Sequence, residues 1–442
     1  MEPMSFVLEP SRKTNVLARA QVVVLGGGPS GIAAAVAAAR SGASVVLVER
    51  YGFLGGMGTA AMVTSFCGLH ANVHGEIRRV VHGIADEILE RLESLGGLNK
   101  THSVFGRTAA QSYDVGAYKC VADDLVAGAG VDLHLHAFAV GVRMEGRAIS
   151  AIFVETKSGR GAIVGDVFID CSGDADLAAW AGAPFEKSDA LAYPTLMFRL
   201  GNVDDALALA EGKPKLRALV EQEERESGEP MPRRAAYINP QAHAREWRAN
   251  ATQIARGDRA VDGTLHDDLR FGEVEGRKQI RRFHDFLRRR VPGFAESYLL
   301  EIAPQLGIRE TRRIVGAYVL TGDDVLACRD FSDSIGVNGW PVEQHVRGEV
   351  DWQWPGARGY HQIPFRCLVA RDVTNLLVAG RCASATHEGQ ASLRVSGPCF
   401  AMGQAAGTAA AMIALEKKTL ETLDVTTLQD RLRKDGAFLG EP

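Results

Sequence analysis

The feature that most constrains the fold is the segment VVVLGGGPSGIAAAVAAARSGASVVLVER, at residues 22–50. Its first four residues form a continuous apolar run, which is typical of a parallel strand buried on both faces. A glycine-rich turn and an alanine-rich helix follow, and a second apolar run at residues 45–48 ends the unit. The segment therefore predicts a strand–helix–strand unit of an α/β fold.

The turn between the first strand and the helix fits the pattern G-x-G-x-x-G. Gly26 permits the tight turn, Gly28 lets the backbone approach a pyrophosphate, and Gly31 lets the helix pack against the strand. The helix begins at Pro29 and Ser30, where unpaired N–H groups are available to phosphate oxygens. A purely structural glycine turn is the alternative to a dinucleotide site.

An acid ends the second strand, as a dinucleotide site requires. Glu49 lies 23 positions after Gly26, a spacing at which its carboxylate can bind ribose hydroxyls. A carboxylate at this position disfavours a 2′-phosphate and therefore NADP. Up to this residue the pattern does not separate NAD from FAD.

A second glycine cluster follows at once, in the stretch ERYGFLGGMGT at residues 49–59. It resembles the E-R-x-G-x-x-G-G-M-x-T segment of glutathione-reductase-like FAD proteins, although a flexible loop is the simpler interpretation. The resemblance implies that the backbone at Gly55 and Gly56 runs beside the pyrophosphate and ribityl chain, and that the Thr59 hydroxyl binds a phosphate oxygen. It also assigns Arg50 and Met57 to the cofactor site.

A third segment, DCSGD at residues 170–174, resembles the D-x-T/S-G-D motif of the same flavoproteins. The resemblance implies that Ser172 and Gly173 approach the cofactor and that the adenine rests on backbone near Ala139. His134 and His136 alternate on the preceding strand, but no carboxylate or cysteine partner is evident near them, so we expect no metal site.

The fourth segment is NLLVAGRCASATHEGQASLRVSGPCFAMGQAAGTAAAMIALEKK, at residues 375–418. It predicts a buried strand closed by Gly380 and Arg381, and then a long helix from about Ser396. The positive end of that helix, near Val395, is expected to face the pyrimidine carbonyls of a flavin.

Together the four segments resemble FAD-dependent oxidoreductases related to the fumarate reductase and succinate dehydrogenase flavoproteins. RETRRIVGAYVLT, at residues 309–321, and NLLVAGRCASATH, at residues 375–387, match a less-characterised branch of them. The resemblance implies an α/β fold with a Rossmann-like FAD-binding domain of the glutathione-reductase/fumarate-reductase type, at residues 20–185 and 355–442. An α+β substrate-capping domain is expected at residues 186–354.

Candidate catalytic residues come from the same resemblance. In fumarate reductases the stretch matching residues 380–394 holds the substrate carboxylate, which implicates His387 and Arg394, although Glu388 replaces a glycine of that pattern. His387 as a hydrogen-bonded structural residue is the alternative. Arg309 belongs either to an anion clamp or to a salt-bridged strand junction, and His70 is expected near the isoalloxazine ring.

Length and composition limit the number of domains and the kinds of binding partner. A chain of 442 residues is too long for one ordinary core, which favours two domains. The net charge of −4 and the absence of a long apolar segment predict neither a nucleic-acid nor a membrane partner. The seven cysteines include no C-x-x-C pair, which argues against an iron–sulfur or disulfide framework. We expect a cytoplasmic protein, and a homo-oligomer is left open.

These observations predict an enzyme that moves a hydride between flavin N5 and a small polar or anionic organic substrate, with an external electron acceptor or donor. Two alternatives stay open. One is a flavin-dependent monooxygenase, disfavoured because Gly380-Arg381-Cys382 replaces the G-D-A motif of those enzymes. The other is an electron-transfer flavoprotein subunit of a larger complex.

Overall fold

The strands of the described chain lie between residues 15 and 378. The computed structural model describes Val7 and residues 9–441. In chain order the strands are β1 Asn15–Leu25, β2 Val45–Val48, β3 Ser65–Phe66, β4 His70–Val73, β5 Glu76–Arg79, β6 Leu98–Val104, β7 Thr108–Tyr113, β8 Asp132–His134, β9 Phe138–Glu145, β10 Ala148–Thr156, β11 Gly159–Asp170, β12 Phe185–Glu186, β13 Phe198–Gly201, β14 Tyr237–Pro240, β15 Trp247–Asn250, β16 Ala255–Arg256, β17 Arg259–Ala260, β18 Tyr298–Ile302, β19 Arg313–Ile314, β20 Ser334–Asn338, β21 Val342–His345, β22 Val350–Gln353, β23 His361–Pro364 and β24 Leu376–Val378.

The helices fall between and after these strands. They are α1 Pro29–Arg40, α2 Ile84–Ser94, α3 Val115–Gly128, α4 Asp176–Trp180, α5 Asp205–Leu207, α6 Lys213–Ser227, α7 His266–Arg290, α8 Gly322–Leu326, α9 His387–Leu393, α10 Ser396–Glu416 and α11 Val425–Lys434. Short 3₁₀ turns occupy Gly56–Gly58, Phe365–Leu368 and Leu420–Thr422, and a π turn occupies Ala208–Gly212.

The largest sheet has the order β8-β2-β1-β11-β10-β9, with β24 paired to β11. Strands β8, β2, β1, β11 and β24 run parallel, and β10 and β9 extend the sheet in antiparallel fashion. Val22–Val24 and Val46–Val48 are fully buried or nearly so, as the apolar runs predicted. The chain is a mixed α/β fold, and the carboxyl ends of β1, β2 and β11 meet at one edge of this sheet.

Helices α1 and α10 pack against each other almost backbone to backbone. A Cβ at Gly403 would lie 2.1 Å from the carbonyl oxygen of Ser30, and one at Gly407 would lie 2.1 Å from that of Ala34. The four-residue spacing of these glycines places both on one face of α10. Although α10 is long and apolar enough to cross a membrane, 83% of its most apolar window is buried inside the protein, as in a core helix.

A second sheet, in the order β14-β15-β13-β18, forms a separate core with α6 and α7. Its largest buried side chains include Trp247, Phe283, Phe286 and Phe294. Along β14 and β15 the residues alternate: Ile238, Trp247 and Ala249 point into this core, and their neighbours face the other way.

The segment expected to form the cap, residues 186–354, is divided between two cores. Side chains from Leu196 to Ile308 make up most of the second core. Leu320, Ile335 and Val342 instead belong to the core around α1 and α10. Strand β20 also pairs with β23, beyond residue 354. The separately packed part of the chain therefore ends near residue 308.

The α1–α10 contact yields a stability prediction. Gly407→Ala places a methyl group against the Ala34 carbonyl, so we expect it to lower the free energy of unfolding by about 1–3 kcal/mol. Gly128→Ala is the matched control, because that helical glycine is exposed and has no atom within 4 Å of its added Cβ. The control should be neutral or stabilising by up to about 1 kcal/mol. Equal urea midpoints for the two variants would contradict the close packing.

Candidate active site

A cavity of about 620 Å³ opens at the carboxyl edge of the large sheet. All four glycine-bearing segments found in the sequence contribute to its wall. The contributing residues of the four segments include Gly26, Gly28, Pro29, Ser30, Glu49, Arg50, Gly56, Met57, Ser172, Gly173, Arg381 and Val395. Segments more than 300 residues apart in sequence therefore line one space.

The backbones of the first two glycine turns face each other without side chains between them. A Cβ added at Gly28 would lie 3.7 Å from Gly56 Cα, an ordinary van der Waals contact that needs no rearrangement. A Cβ at Gly56 would lie 2.7 Å from Gly28 Cα. Gly28 is also the N-cap of α1 and forms no side-chain capping bond. Such a bare backbone cradle at a helix N-terminus fits a pyrophosphate.

Glu49 is buried beside this cradle. One carboxylate oxygen accepts a hydrogen bond from the Gly27 N–H at 2.7 Å, and the other accepts one from the Tyr51 N–H at 2.9 Å. Burial raises the pKa of Glu49, and the two backbone donors oppose that shift. A carboxylate oxygen can accept two hydrogen bonds, and each Glu49 oxygen accepts one from the backbone. Glu49 can therefore still accept hydrogen bonds from the hydroxyls of a ribose.

An ion-pair network joins the third and fourth segments at the cavity wall. Asp174 accepts hydrogen bonds from Arg381 and from the Thr311 hydroxyl, each at 2.8 Å. Arg312 pairs with Asp176 at 2.7 Å. Burial, together with the neighbouring carboxylates, raises the pKa of Asp176 to about 7. These contacts hold the turn after β11 against the turn after β24.

Arginines line the cavity at its other end. Arg394 donates to the backbone carbonyl of Glu343 at 3.1 Å, and its guanidinium lies 3.7 Å from the Glu343 carboxylate. Arg309 donates to the Tyr193 carbonyl and forms no salt bridge with any described carboxylate. Burial lowers the pKa of Arg309, and the positive charges of Arg233 and Arg394 add to this effect. This end of the cavity therefore carries excess positive charge.

Glu343 and His345, from β21, form a buried pair in the same wall. His345 Nε2 lies 3.0 Å from one Glu343 oxygen, and the Trp340 indole N–H donates to the other at 3.0 Å. Burial alone would raise the pKa of Glu343, but His345, Arg394 and the indole lower it to about 2. Burial, reinforced by Arg309, lowers the pKa of His345 well below its ordinary value. The low pKa of Glu343 keeps it a carboxylate at neutral pH, and burial disfavours the imidazolium form of His345.

The family model described as FAD dependent oxidoreductase matches residues 21–432, nearly the whole chain. The chain belongs to this family. FAD is its cofactor, and the donor set described above fits that group: a bare pyrophosphate cradle, a ribose-binding acid and a helix N-terminus. This confirms two predictions from the four motifs, namely a family of FAD-dependent oxidoreductases and FAD as the cofactor.

Solved structures of flavoenzymes resemble the chain more distantly, and no curated protein matches it in sequence. A geranylgeranyl bacteriochlorophyll reductase-like protein from Thermoplasma acidophilum is 15% identical, with a TM-score of 0.47 over 94% of this chain and 83% of the other. The p-nitrophenol 4-monooxygenase PnpA from Pseudomonas putida is 13% identical, with a TM-score of 0.45 over 94% and 84%. The anhydrotetracycline hydroxylase OxyS from Streptomyces rimosus is 12% identical, with a TM-score of 0.47; the chain spans 65% of its length.

Most of the residues predicted to bind FAD line the cavity, including Ala139. Four do not, and each shapes a turn instead. A Cβ at Gly31 would lie 1.7 Å from the Gly26 carbonyl oxygen, and one at Gly380 would lie 2.6 Å from the Ser30 hydroxyl. Gly55 has a positive φ of 106°. The Thr59 hydroxyl donates to the Leu54 carbonyl at 2.7 Å, so it closes its own loop rather than facing a phosphate.

The predicted catalytic residues separate into two groups. Arg309 and Arg394 line the cavity, whereas His70 and His387 are not among the residues of its wall. His387 Nδ1 lies 2.9 Å from Glu310, which also pairs with Arg313, as in the structural alternative. His70 is buried, and its Nδ1 has no hydrogen-bond partner among the described residues.

The residues next to Arg309 form the salt-bridged strand junction that was the alternative to an anion clamp at this position. Glu310 pairs with Arg313, and Arg312 pairs with Asp176. Arg309 differs from them, because it faces the cavity and pairs with no described carboxylate. One short stretch thus supplies both a junction and a candidate anion contact.

Sequence reasoning missed Arg248, Trp340, Glu343 and His345, which also line the cavity. They lie in residues 186–354, where no motif was recognised. The available signal was an acid and a histidine two residues apart in WPVEQH, a spacing that puts both on one face of a strand. That pattern is too common to have selected this hairpin.

The cradle yields a binding prediction. Gly28→Ala meets no protein atom closer than 3.7 Å, so the free energy of unfolding of the FAD-free protein should change by no more than about 1 kcal/mol. The new methyl group occupies cofactor space, and we expect the Kd for FAD to rise at least tenfold, measured by calorimetric titration. Gly128→Ala serves as the control and should bind FAD normally. Unchanged affinity in Gly28→Ala would show that the pyrophosphate lies elsewhere.

Proposed function

We propose that this FAD-dependent oxidoreductase moves a hydride between the flavin and a small organic substrate that carries a negative charge. The observation that carries the proposal is that one cavity joins the FAD-binding turns to Arg309 and Arg394. When bound, FAD supplies the two-electron chemistry. The protein's own side chains then need only to bind, orient and shield the substrate.

The charges at the substrate end support an anionic substrate. Arg394 is partly neutralised by Glu343, whereas Arg309 is bound by a carbonyl oxygen and no described carboxylate. A guanidinium that is buried without a counterion is costly, and an incoming carboxylate relieves that cost with charge-assisted hydrogen bonds. Trp340 and Trp352 provide apolar wall area nearby, which helps to exclude water from the reacting atoms.

The Glu343–His345 pair supports a role in positioning or in proton transfer. In the oxidative direction the substrate loses a hydride and a proton, and an external electron acceptor later takes up the two electrons. In this proposal His345 accepts that proton, and Glu343, whose carboxylate oxygen lies 3.0 Å from His345 Nε2, stabilises the resulting imidazolium. In the reductive direction the same pair would return the proton.

The proposal is tested with the protein as purified, with bound FAD and under anaerobic conditions. Small hydroxy and amino acids are added, each beside its neutral amide, and the absorbance of oxidised flavin is followed. We expect at least one acid to bleach the flavin and its amide to do so at least tenfold more slowly, because only the acid engages the arginines.

Two results would contradict the proposal. One is bleaching by neutral compounds in preference to all the acids. The other is consumption of NADPH and dioxygen that depends on an aromatic substrate, which would indicate the monooxygenase alternative.

A further inference from the structure

Arg248 is a buried cation in the cavity wall, and no carboxylate among the described residues forms a salt bridge with it. Only 7% of its surface is exposed, and its Nε has no hydrogen-bond partner among the described residues. Among the described residues its guanidinium donates one side-chain hydrogen bond, a weak one from Nη1 to the Met197 sulfur at 3.9 Å. It forms no salt bridge with any described carboxylate, in contrast to Arg199 on the neighbouring strand.

The strand that carries Arg248 faces the cavity with its polar side. Arg248 lies opposite Asn239 in the β14–β15 register, and Asn250 lies opposite Tyr237. All four of these residues line the cavity, whereas the residues between them, such as Trp247 and Ala249, enter the second core. Arg248 is therefore held on a rigid sheet whose position is fixed by packing on its other face.

No acid on this wall offsets the charge. Asn239 accepts a hydrogen bond from Lys213 at 2.6 Å, so a second cation lies close to the same strand. Burial lowers the pKa of Lys213, and the positive charge of Arg248 lowers it further. His102, across the cavity, is shifted in the same direction by burial and by the same two cations. The local field is thus positive and lacks a counterion.

Arg248 is also close to the end of the cavity where the flavin ring is expected. Desolvation raises the pKa of the partly buried Cys67 thiol to about 12; the carboxylate of Glu343 adds to this shift, and the positive charges of Arg248 and Arg394 oppose it. Cys67 is bonded to the start of α10: its N–H donates to the Ser396 hydroxyl at 3.0 Å, and its carbonyl accepts from Gly397 at 2.8 Å. The cation of β15 and the N-terminus of α10 therefore flank one region.

We infer that Arg248 binds the carboxylate of the substrate and so sets the specificity of the enzyme for organic acids. The inference rests on the proposed function and extends it, because it adds a third arginine, from a strand of the second core, to Arg309 and Arg394 as a contact of the substrate carboxylate. A planar guanidinium with almost all its N–H groups free matches a carboxylate in bidentate geometry. The cost of burying the unpaired cation is recovered when the substrate arrives.

The test is a binding titration of the FAD-loaded protein, which does not depend on turnover. Benzoate, phenylacetate and hexanoate are titrated against the flavin absorbance and tryptophan fluorescence, each with its primary amide, and inorganic phosphate is a further arm. We expect saturable binding of at least one carboxylate and binding of its amide at least tenfold weaker. Tighter binding of phosphate than of every carboxylate would overturn the carboxylate assignment.

Variants then assign the site. Arg248→Met should raise the Kd of the carboxylate at least tenfold, and Arg248→Lys should recover part of the loss because it keeps the charge. Arg199→Met is the matched control: Arg199 lies directly opposite Arg248 on β13, does not line the cavity and pairs with Glu246 and Glu301. It should change that Kd less than twofold. Bound FAD and the far-ultraviolet circular dichroism spectrum verify that each variant is folded.

Three outcomes would overturn the inference: no carboxylate binds the wild-type protein, Arg248→Met binds carboxylate as tightly as wild type, or Arg248→Met loses FAD while folded, which would assign Arg248 to the flavin. The last two outcomes leave the proposed function intact, whereas the first would count against both. Failure of the proposed function alone looks different: carboxylates would bind through Arg248 and yet no acid would bleach the flavin.

Discussion

The structure depends on contacts in which backbone meets backbone with no side chain between. Gly403 and Gly407 let α10 lie against the carbonyl oxygens of α1, and Gly31 lets α1 lie against the turn that precedes it. These contacts fix the start of α1 relative to the start of α10. Since Gly28 and Val395 lie at those two starts, the same packing determines the span of the cofactor cavity.

Much of the fold and of the cofactor site could be predicted because the signals are local. A strand, a glycine turn, a helix and an acid at fixed spacing have few structural solutions. Where the structure differs from the prediction, a single side chain is involved, and the difference depends on hydrogen-bond geometry that the sequence does not show. Thr59 has the right residue type for a phosphate contact, yet its hydroxyl bonds to the Leu54 carbonyl, five residues back.

The substrate end could not be predicted in the same way, because its side chains meet only through tertiary packing. The chain has many arginines, and the sequence does not single out Arg248. What distinguishes Arg248 is that its buried Nε has no hydrogen-bond partner among the described residues, which is a property of the folded protein. His387 shows the converse: it matched a known motif, but in the fold it bonds to Glu310, which also pairs with Arg313. Core membership is likewise a tertiary property: Leu320, Ile335 and Val342 pack in the first core although they lie in the segment 186–354.

The two ends of the cavity differ in their balance of charged side chains. At the ribose end, acids and arginines are paired, as in the Asp174–Arg381 contact. At the other end, arginines exceed carboxylates, and the one acid of the β21–β22 hairpin wall, Glu343, is shared among Trp340, His345 and Arg394. The cofactor end therefore has balanced charges, and the other end has an excess of positive charge, which is the basis of the anionic substrate proposed above.

A crystal structure of the protein with FAD tests the central claim most directly. The account predicts one continuous FAD that passes Glu49 with its ribose and Gly28 and Gly56 with its pyrophosphate, and that ends with the isoalloxazine ring near Val395. An FAD that leaves the Gly28–Gly56 cradle empty, or a flavin ring placed away from the start of α10, would contradict it.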